Sequence, residues 1–191
     1  MKYPILNFSN TNFDSFVKQW SSFYNYDEMN LYDDNIIKSK LNVEDLINLY
    51  KWKNGSNLSE KKKEALQNKM LNKLDKINEL RENFAITEFL TEFDNVSFVW
   101  KIFLLHIISP NEYPIYDQHV HRAYLFLNRD NSYKIIESPI SDKEKDSFYF
   151  NIYLPFITEL RINDNFKIRD LDKAFFSFGQ FLKNYKIELI E

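Results

Sequence analysis

The chain has 191 residues, of which 44% are hydrophobic and 28% charged, and its formal net charge is -3. It is long enough to bury a hydrophobic core, and it is neither a disordered polyanion nor a strongly basic protein, so any contact with nucleic acid requires a local basic patch. The lack of cysteine excludes disulfides, zinc-thiolate sites, iron-sulfur clusters and thiol nucleophiles. The lack of cysteine also fits a reducing cytosol, so a cytoplasmic location is expected. A polar N-terminus and the lack of a long apolar run predict a soluble protein without a membrane span.

Glycine and proline are scarce, with two and five residues respectively. Few tight turns are therefore available, which weighs against a sheet of many hairpins and favours an all-α fold. Aromatic residues make up 17% of the chain. A helical core filled with phenylalanine and tyrosine accounts for most of them.

The sequence of the N-terminal part, up to Gly55, predicts two helices. Asn10 and Thr11 are candidate caps for a helix that runs to about Phe23, with apolar residues every three or four positions. The polar stretch 27–39 is interpreted as a connector. Asn42 then precedes a second helix, which should end at Gly55.

The next helix is predicted to begin after Ser59 and to continue as one amphipathic helix to Phe84. A short helix over 87–92 follows and leads into a turn over 93–97. The segment 98–108 is almost wholly apolar, which predicts a helix buried on nearly every side. A histidine on such a helix, here His106, is more often a satisfied core residue than a ligand.

Asp117 stands at the predicted N-cap of a helix over 118 to about 127. Ser141 should cap a long helix through Leu160 that is kinked at Pro155. The last helix is predicted from about Asp170, with Gly179 permitting close approach by a neighbouring helix. The β-branched stretch 134–136 is a possible short strand.

The segment from Phe93 to Arg122 resembles the helix-hairpin-helix superfamily of base-excision DNA glycosylases, which includes endonuclease III and the 8-oxoguanine glycosylases. Its members carry a hairpin of the form L-P-G-V-G, an apolar helix, a loop ending in P-I-x-D and a further helix. The corresponding residues here, without a gap, are Phe93-Asp94-Asn95-Val96-Ser97, the helix 98–108, Pro114-Ile115-Tyr116-Asp117 and Gln118-His119-Val120-His121-Arg122-Ala123. The resemblance covers about thirty residues.

The resemblance implies a fold of two helical lobes in one domain. The middle lobe spans about 42–128 and contains the hairpin 93–97, and the other lobe is formed by about 1–41 and 129–191. It implies a DNA glycosylase that acts in base-excision repair on double-stranded DNA with a modified or damaged base.

Asp117 occupies the position of the family's catalytic aspartate. Cleavage of an N-glycosidic bond builds positive charge on the sugar, so a fixed carboxylate stabilises the transition state or activates a water molecule. A helix N-terminus would hold this carboxylate in its ionised form. Taken alone, an aspartate at this position is more often only a helix cap.

In the family, the hairpin directs backbone N-H groups at a DNA phosphate, which assigns this contact to Asn95, Val96 and Ser97. Asn95 and Ser97 replace the family's two glycines, and asparagine tolerates the left-handed conformation better than most residues. Further candidate DNA contacts are Lys101, His119 and Arg122; Lys101 and Arg122 are equally well explained as solvated charges.

Bifunctional members place a nucleophilic lysine two residues after the second hairpin glycine, where this chain has Val99. The resemblance therefore implies a monofunctional enzyme that leaves the abasic strand intact. No cofactor is expected. A shared metal ion at His119 and His121 is not expected either, because residues two apart on a helix point in different directions.

A base drawn out of the helix needs aromatic or apolar walls, and Tyr116, Trp100 and Trp52 are the candidates for these, although each is also a plausible core residue. Two other functions stay open. One is a non-catalytic module on the same fold that binds DNA structure or another protein, and the other is an N-glycosidase acting on free nucleosides or nucleotides.

Overall fold

The computed structural model describes residues 11–128, 141–164 and 166–184, and every regular element in these ranges is helical, which confirms the all-α class. The α-helices are α1 (Phe13–Ser22), α2 (Met29–Ile36), α3 (Val43–Asn54), α4 (Glu60–Lys69), α5 (Leu74–Glu82), α6 (Ile86–Glu92), α7 (Phe98–Ile108), α8 (Gln118–Asn128), α9 (Asp142–Phe148), α10 (Leu154–Asp164) and α11 (Ile168–Asn184). The possible strand at 134–136 and the candidate cap Asn10 lie outside the described residues.

Helix α11 organises the fold, because it packs against both α1 and α8. Its buried face carries Leu171, Ala174, Phe175 and Phe178. Gly179 makes the contact with α8 possible, since a Cβ at this position would overlap the backbone carbonyl of His119. The prediction that Gly179 permits close approach is thereby confirmed.

The buried side chains of the described residues form one hydrophobic cluster that extends from α1 to α11. Helix α7 lies at its centre: Ile102 to Ile107 are at most 1% exposed, as the apolar run predicts. His106 is satisfied inside this core, with Nδ1 2.7 Å from the Tyr113 carbonyl and Nε2 2.6 Å from the Tyr32 hydroxyl. Because the carbonyl can only accept, Nδ1 carries the proton and Nε2 accepts from Tyr32.

Two predictions in the N-terminal part were wrong. The first helix is capped by Asn12, whose side chain accepts from the Ser15 N-H (2.8 Å), and Thr11 lies outside it. The stretch interpreted as a connector contains α2. Its N-cap, Glu28, makes no side-chain cap bond, so no local start signal marks this helix, and its packing against α3 buries Tyr32 and Ile36.

Two long predicted helices are interrupted. The helix after Ser59 breaks at Met70, and a 3-10 turn over Leu71–Lys73 allows the consecutive residues Met70 and Leu71 both to be buried. The helix after Ser141 passes through a π-helical turn, Tyr149–Tyr153, just before Pro155. Proline has no N-H for the carbonyl four residues earlier, which explains why the regular bonding pattern changes there.

The described helices include none whose length and apolar character would suffice to cross a bilayer.

Candidate functional site

The N-terminus of α8 fixes the Asp117 side chain as the sequence predicts. Asp117 Oδ1 accepts hydrogen bonds from the backbone N-H groups of His119 (2.8 Å) and Val120 (3.1 Å). These donors are free because the first turn of a helix has no preceding carbonyls to bind them. The loop before α8 is held in turn by Asp172, whose Oδ1 accepts from the Ile115 N-H at 3.0 Å.

The second oxygen of Asp117 faces a lysine from a different helix. Lys53 of α3 places Nζ 3.3 Å from Asp117 Oδ2 and 3.4 Å from the Tyr116 carbonyl. The side chains of Lys53 and Asp117 are only 8% and 17% exposed. Burial opposes the charged form of Asp117, but the Lys53 cation, the Val120 N-H and His119 outweigh it and hold the pKa of this carboxyl below its usual value.

Asp117 lines a pocket at the junction of α3, α8 and α11. Charged side chains in its wall are Lys53, Asp117, Arg169 and Asp172, and its aromatic side chains are Tyr24, Tyr26, Trp52 and Phe176. Its cavity volume is about 30 Å³, which is room for one or two water molecules. In this conformation the pocket is smaller than a nucleobase.

The aromatic side chains of the pocket contact one another. The Phe176 ring lies 5.6 Å from the rings of Tyr24 and Tyr26, both in edge-to-face geometry, and Tyr26 lies 5.4 Å from Trp52. Trp52 is buried, whereas Tyr24, Tyr26 and Phe176 are partly exposed. The partly exposed rings of Tyr24, Tyr26 and Phe176 are therefore the aromatic wall of the pocket.

The structure separates the three aromatic residues assigned to a base pocket. Trp52 lines the pocket beside Asp117, but Tyr116 and Trp100 do not. The Tyr116 ring is buried among Phe98, Tyr149 and Tyr153, and its hydroxyl lies 2.6 Å from His121 Nδ1. Trp100 contacts Tyr50 of α3 instead: the ring centres lie 4.8 Å apart in tilted geometry, and the Tyr50 hydroxyl donates to the Trp100 carbonyl at 2.9 Å.

His119 and Arg122 hold α8 to α11. Arg122 Nη1 donates to the Gly179 carbonyl (3.0 Å) and lies 3.2 Å from His119 Nδ1. Arginine only donates, so Nδ1 is the acceptor and the proton of neutral His119 sits on Nε2. The His119 ring packs edge-to-face on Phe176 at 5.1 Å, which connects it to the aromatic wall.

The turn over 93–97 differs from the expectation for Asn95. Neither Asn95 nor Ser97 has a positive φ. In this turn the Val96 N-H donates to the Phe93 carbonyl at 3.2 Å. No residue of the turn adopts a left-handed conformation, which explains why the turn needs no glycine. Asn95 and Ser97 are exposed, while Val96 is 5% exposed and belongs to the core.

Acidic residues of α9 lie at the N-terminus of α7. Asp142 Oδ2 accepts from the Phe98 N-H at 3.2 Å, in the place where the family resemblance puts a phosphate. Lys101, a predicted phosphate contact, has Nζ 3.6 Å from Asp146 Oδ1. Both contacts place negative charge beside the first turn of α7.

Three charged residues of the pocket were missed by the sequence reasoning: Lys53, Arg169 and Asp172. Lys53 lies among three lysines in 51–61 that look alike in sequence, and Arg169 and Asp172 start an ordinary amphipathic helix. For Asp172, the sequence did offer a signal. It lies one residue after Leu171 and three before Phe175, which places a carboxylate next to the apolar face of α11.

No protein-family model, curated protein or solved structure matches this chain. Among the residues that the structure describes, no three His, Asp or Glu side chains lie close enough together to share a metal ion.

Proposed function

We propose that the protein hydrolyses the N-glycosidic bond between a nucleobase and its sugar, and that its substrate is duplex DNA with a modified or damaged base. The observation that carries this proposal is the Asp117 carboxylate, which is fixed by two N-H groups, paired with Lys53 and set in a pocket lined in part by aromatic rings. Such a carboxylate stabilises the positive charge that develops on the sugar as the bond breaks.

Asp117 Oδ2 is the oxygen that acts in this reaction. Oδ1 is occupied by the two N-H donors, whereas Oδ2 shares one ammonium with the Tyr116 carbonyl through contacts of 3.3 and 3.4 Å. A carboxylate oxygen has two lone pairs, so Oδ2 retains one for the sugar or for an attacking water molecule. The cavity has room for that water molecule.

The base enters by displacing part of the aromatic wall. Tyr24, Tyr26 and Phe176 are partly exposed, so their rings can rotate without opening the core. An extruded base then stacks on them and on Trp52, and each such stacking contact is worth about 1–3 kcal/mol. This replaces Tyr116 and Trp100 in the base-pocket hypothesis.

Water is the nucleophile in this proposal, and the abasic strand is left intact. Val99 provides no amine, and Lys53 acts as the cation that holds Asp117. Borohydride trapping on substrate DNA tests this directly, because only a Schiff base gives a reduced protein-DNA adduct. We expect none; an adduct that disappears in Lys53→Met would show a bifunctional enzyme.

A second substrate class is favoured by one contact. Asp142 occupies the Phe98 N-H at the N-terminus of α7, where a phosphate of duplex DNA would have to displace a carboxylate. A nucleoside or nucleotide N-glycosidase uses the Asp117 pocket without requiring that terminus. The chemistry at Asp117 is the same for both substrate classes.

The test compares the wild-type protein with Asp117→Asn on duplexes carrying deaminated, oxidised or alkylated bases and on free nucleosides and nucleotides. Loss of the charge should lower the rate of base release by about 10²–10³-fold. Asp34→Asn, an exposed aspartate of α2, is the matched control.

Equal rates in wild-type and Asp117→Asn protein would contradict the proposal. Binding of an abasic-site duplex without base release from any substrate would instead support the non-catalytic module. Release from nucleosides alone would select the second substrate class.

A further inference from the structure

Asp172 is a second carboxyl group in the Asp117 pocket, and one of its oxygens has no partner. The residue is 3% exposed and lies on α11. Oδ1 accepts from the Ile115 N-H at 3.0 Å, whereas Oδ2 makes no hydrogen bond in the structure. Buried polar atoms are normally satisfied, so the unpaired oxygen of a residue that lines the pocket is available to a ligand bound there.

The neighbours of Asp172 do not neutralise it by direct contact. Arg169 lies one turn earlier on α11, but no ion pair within 4.0 Å joins the two side chains. The Arg169 guanidinium lies instead over the Tyr32 ring, 4.3 Å from its centre, and over Trp52 at 5.3 Å. The cation is therefore held by aromatic faces and leaves Asp172 Oδ2 unpaired.

The titratable groups that face Asp172 come from several elements and are Arg169 on its own helix, Lys53 of α3, Asp117 before α8, Tyr24, Tyr32 of α2, and Tyr149 and Tyr153 of the π turn. Burial disfavours the ionised form of Asp172 more than Arg169, the Ile115 N-H and Lys53 favour it, and Asp117 adds repulsion. Together they raise its pKa to about 7. At neutral pH the group is present both with and without its proton.

We infer that Asp172 is the acid that protonates the departing base, while Asp117 remains ionised beside the sugar; this rests on the proposed function. Two carboxyl groups held in opposite protonation states within one pocket are the arrangement that most glycoside hydrolases use. The unpaired Oδ2 supplies the O-H donor in this step.

The step balances without a further reactant. The bond between the anomeric carbon and the base nitrogen breaks, and its electron pair goes to the base. The proton moves from Asp172 to a base nitrogen and leaves a carboxylate. Water adds to the anomeric carbon and gives its proton to Asp117, which returns it to solvent, and Asp172 takes a proton from solvent before the next turnover.

Asp172→Asn tests the inference, because the amide keeps an acceptor for the Ile115 N-H and loses only the transferable proton. We expect base release to fall by about 10²–10⁴-fold. In the wild-type protein the rate should fall about tenfold between pH 6 and pH 8 as Asp172 loses its proton, and this alkaline limb should be absent from the residual activity of Asp172→Asn. Ser177→Ala, a buried change on the same helix outside the pocket lining, is the matched control.

The outcomes separate the two proposals. Full activity and an unchanged pH profile in Asp172→Asn, with Asp117→Asn inactive, would overturn this inference and leave the proposed function standing. Full activity in Asp117→Asn would overturn the proposed function itself.

A binding measurement is independent of turnover. Free adenine, guanine, hypoxanthine and 8-oxoguanine are titrated at pH 6 and pH 8 while the tryptophan fluorescence, to which Trp52 in the pocket lining contributes, is followed. Tighter binding of at least one base at pH 6, with the pH dependence lost in Asp172→Asn, supports a protonated Asp172 as the hydrogen-bond donor. Absence of binding by all four bases, or binding equal at both pH values, would overturn the inference.

Discussion

Asp117 and Asp172 line the same pocket, and their surroundings favour opposite forms of the carboxyl group. Burial of Asp117 is outweighed by the Lys53 cation and by the backbone N-H groups at the start of α8, so the pKa of its carboxyl is lowered. Asp172 receives one N-H group and has an unpaired oxygen, so burial dominates and raises its pKa to about 7. Individual contacts therefore decide which aspartate is charged.

Lys53→Met tests the electrostatic part of this argument. A carboxylate with a depressed pKa loses its charge as the pH falls through that pKa, so removal of the Lys53 cation should move this loss to higher pH. We expect the acid limb of the rate profile to shift upward, and the Asp117 carboxyl resonance in ¹³C-labelled protein to titrate at higher pH.

The control for this prediction is Lys51→Met, since Lys51 belongs to the same helix and pairs with Glu28 rather than with Asp117. A Lys53→Met protein with an unchanged acid limb would show that the N-H groups of α8 alone hold Asp117 ionised.

At the scale of elements, the contact between α8 and α11 sets the position of the Asp117 pocket. Gly179 lies directly against the His119 backbone, Arg122 bonds back to the Gly179 carbonyl, and the His119 N-H binds Asp117. A shift of α11 would therefore move the donor that fixes the carboxylate. It would also move Asp172, which lies two turns earlier on the same helix.

Gly179→Ala should force the two helices apart. Insertion of a methyl group into a well-packed contact costs about 1–3 kcal/mol, and here the obstacle is backbone, which cannot rotate away. We expect a lower free energy of unfolding in urea and a reduced rate of base release. Gln180→Ala, an exposed neighbour on the same helix, should change neither.

The N-terminus of α7 gives a second prediction at this scale. Asp142 accepts from the Phe98 N-H, so Asp142→Asn removes a negative charge from the place where a DNA phosphate would bind. If duplex DNA uses this terminus, its affinity should rise and depend more steeply on salt concentration, measured by fluorescence anisotropy with an abasic-site duplex. Asp34→Asn serves again as the charge control.

An unchanged affinity in Asp142→Asn would show that DNA does not contact the turn over 93–97. Together with base release from free nucleosides, this result would favour the N-glycosidase that acts on small substrates.

For the whole molecule, the burial of Asp172 that its proposed catalytic role uses lowers the free energy of unfolding above about pH 4. A carboxyl group with a raised folded-state pKa binds protons more tightly in the folded than in the unfolded chain, so stability falls as the pH rises from about 4 to about 7. A rise in the pKa of this size destabilises the folded protein by about 4 kcal/mol at most. A core residue with this effect is expected where activity requires it.

Asp172→Asn should therefore stabilise the protein while it lowers activity. The gain in the free energy of unfolding should be small near pH 4 and reach a few kcal/mol by pH 8, measured by urea denaturation across that range. Ser177→Ala should show no such pH dependence. A stability difference that is the same at both ends of the range would mean that Asp172 does not titrate between them.

Local patterns in the sequence were sufficient for many elements and for part of the site. The apolar run predicted α7 with its observed bounds. Asn42 and Ser141 were predicted to start helices, and each forms a capping box at the start of its helix. Asp117 accepts from the N-H groups of its own helix, as predicted. Each of these contacts joins residues two to four apart. Such contacts depend only on helix geometry, so the sequence reveals them.

The tertiary structure decided the rest, because these contacts join residues far apart in the chain. Lys53 and Asp117 are 64 positions apart, and Asp172 and Ile115 are 57 positions apart. Asp142, which accepts from the first N-H of α7, is 44 positions from Phe98. Helix α2 has no start signal of its own and is held by packing on α3. The sequence by itself thus determined where a carboxylate meets a helix N-terminus, and only the packing of the helices decided which charges surround it.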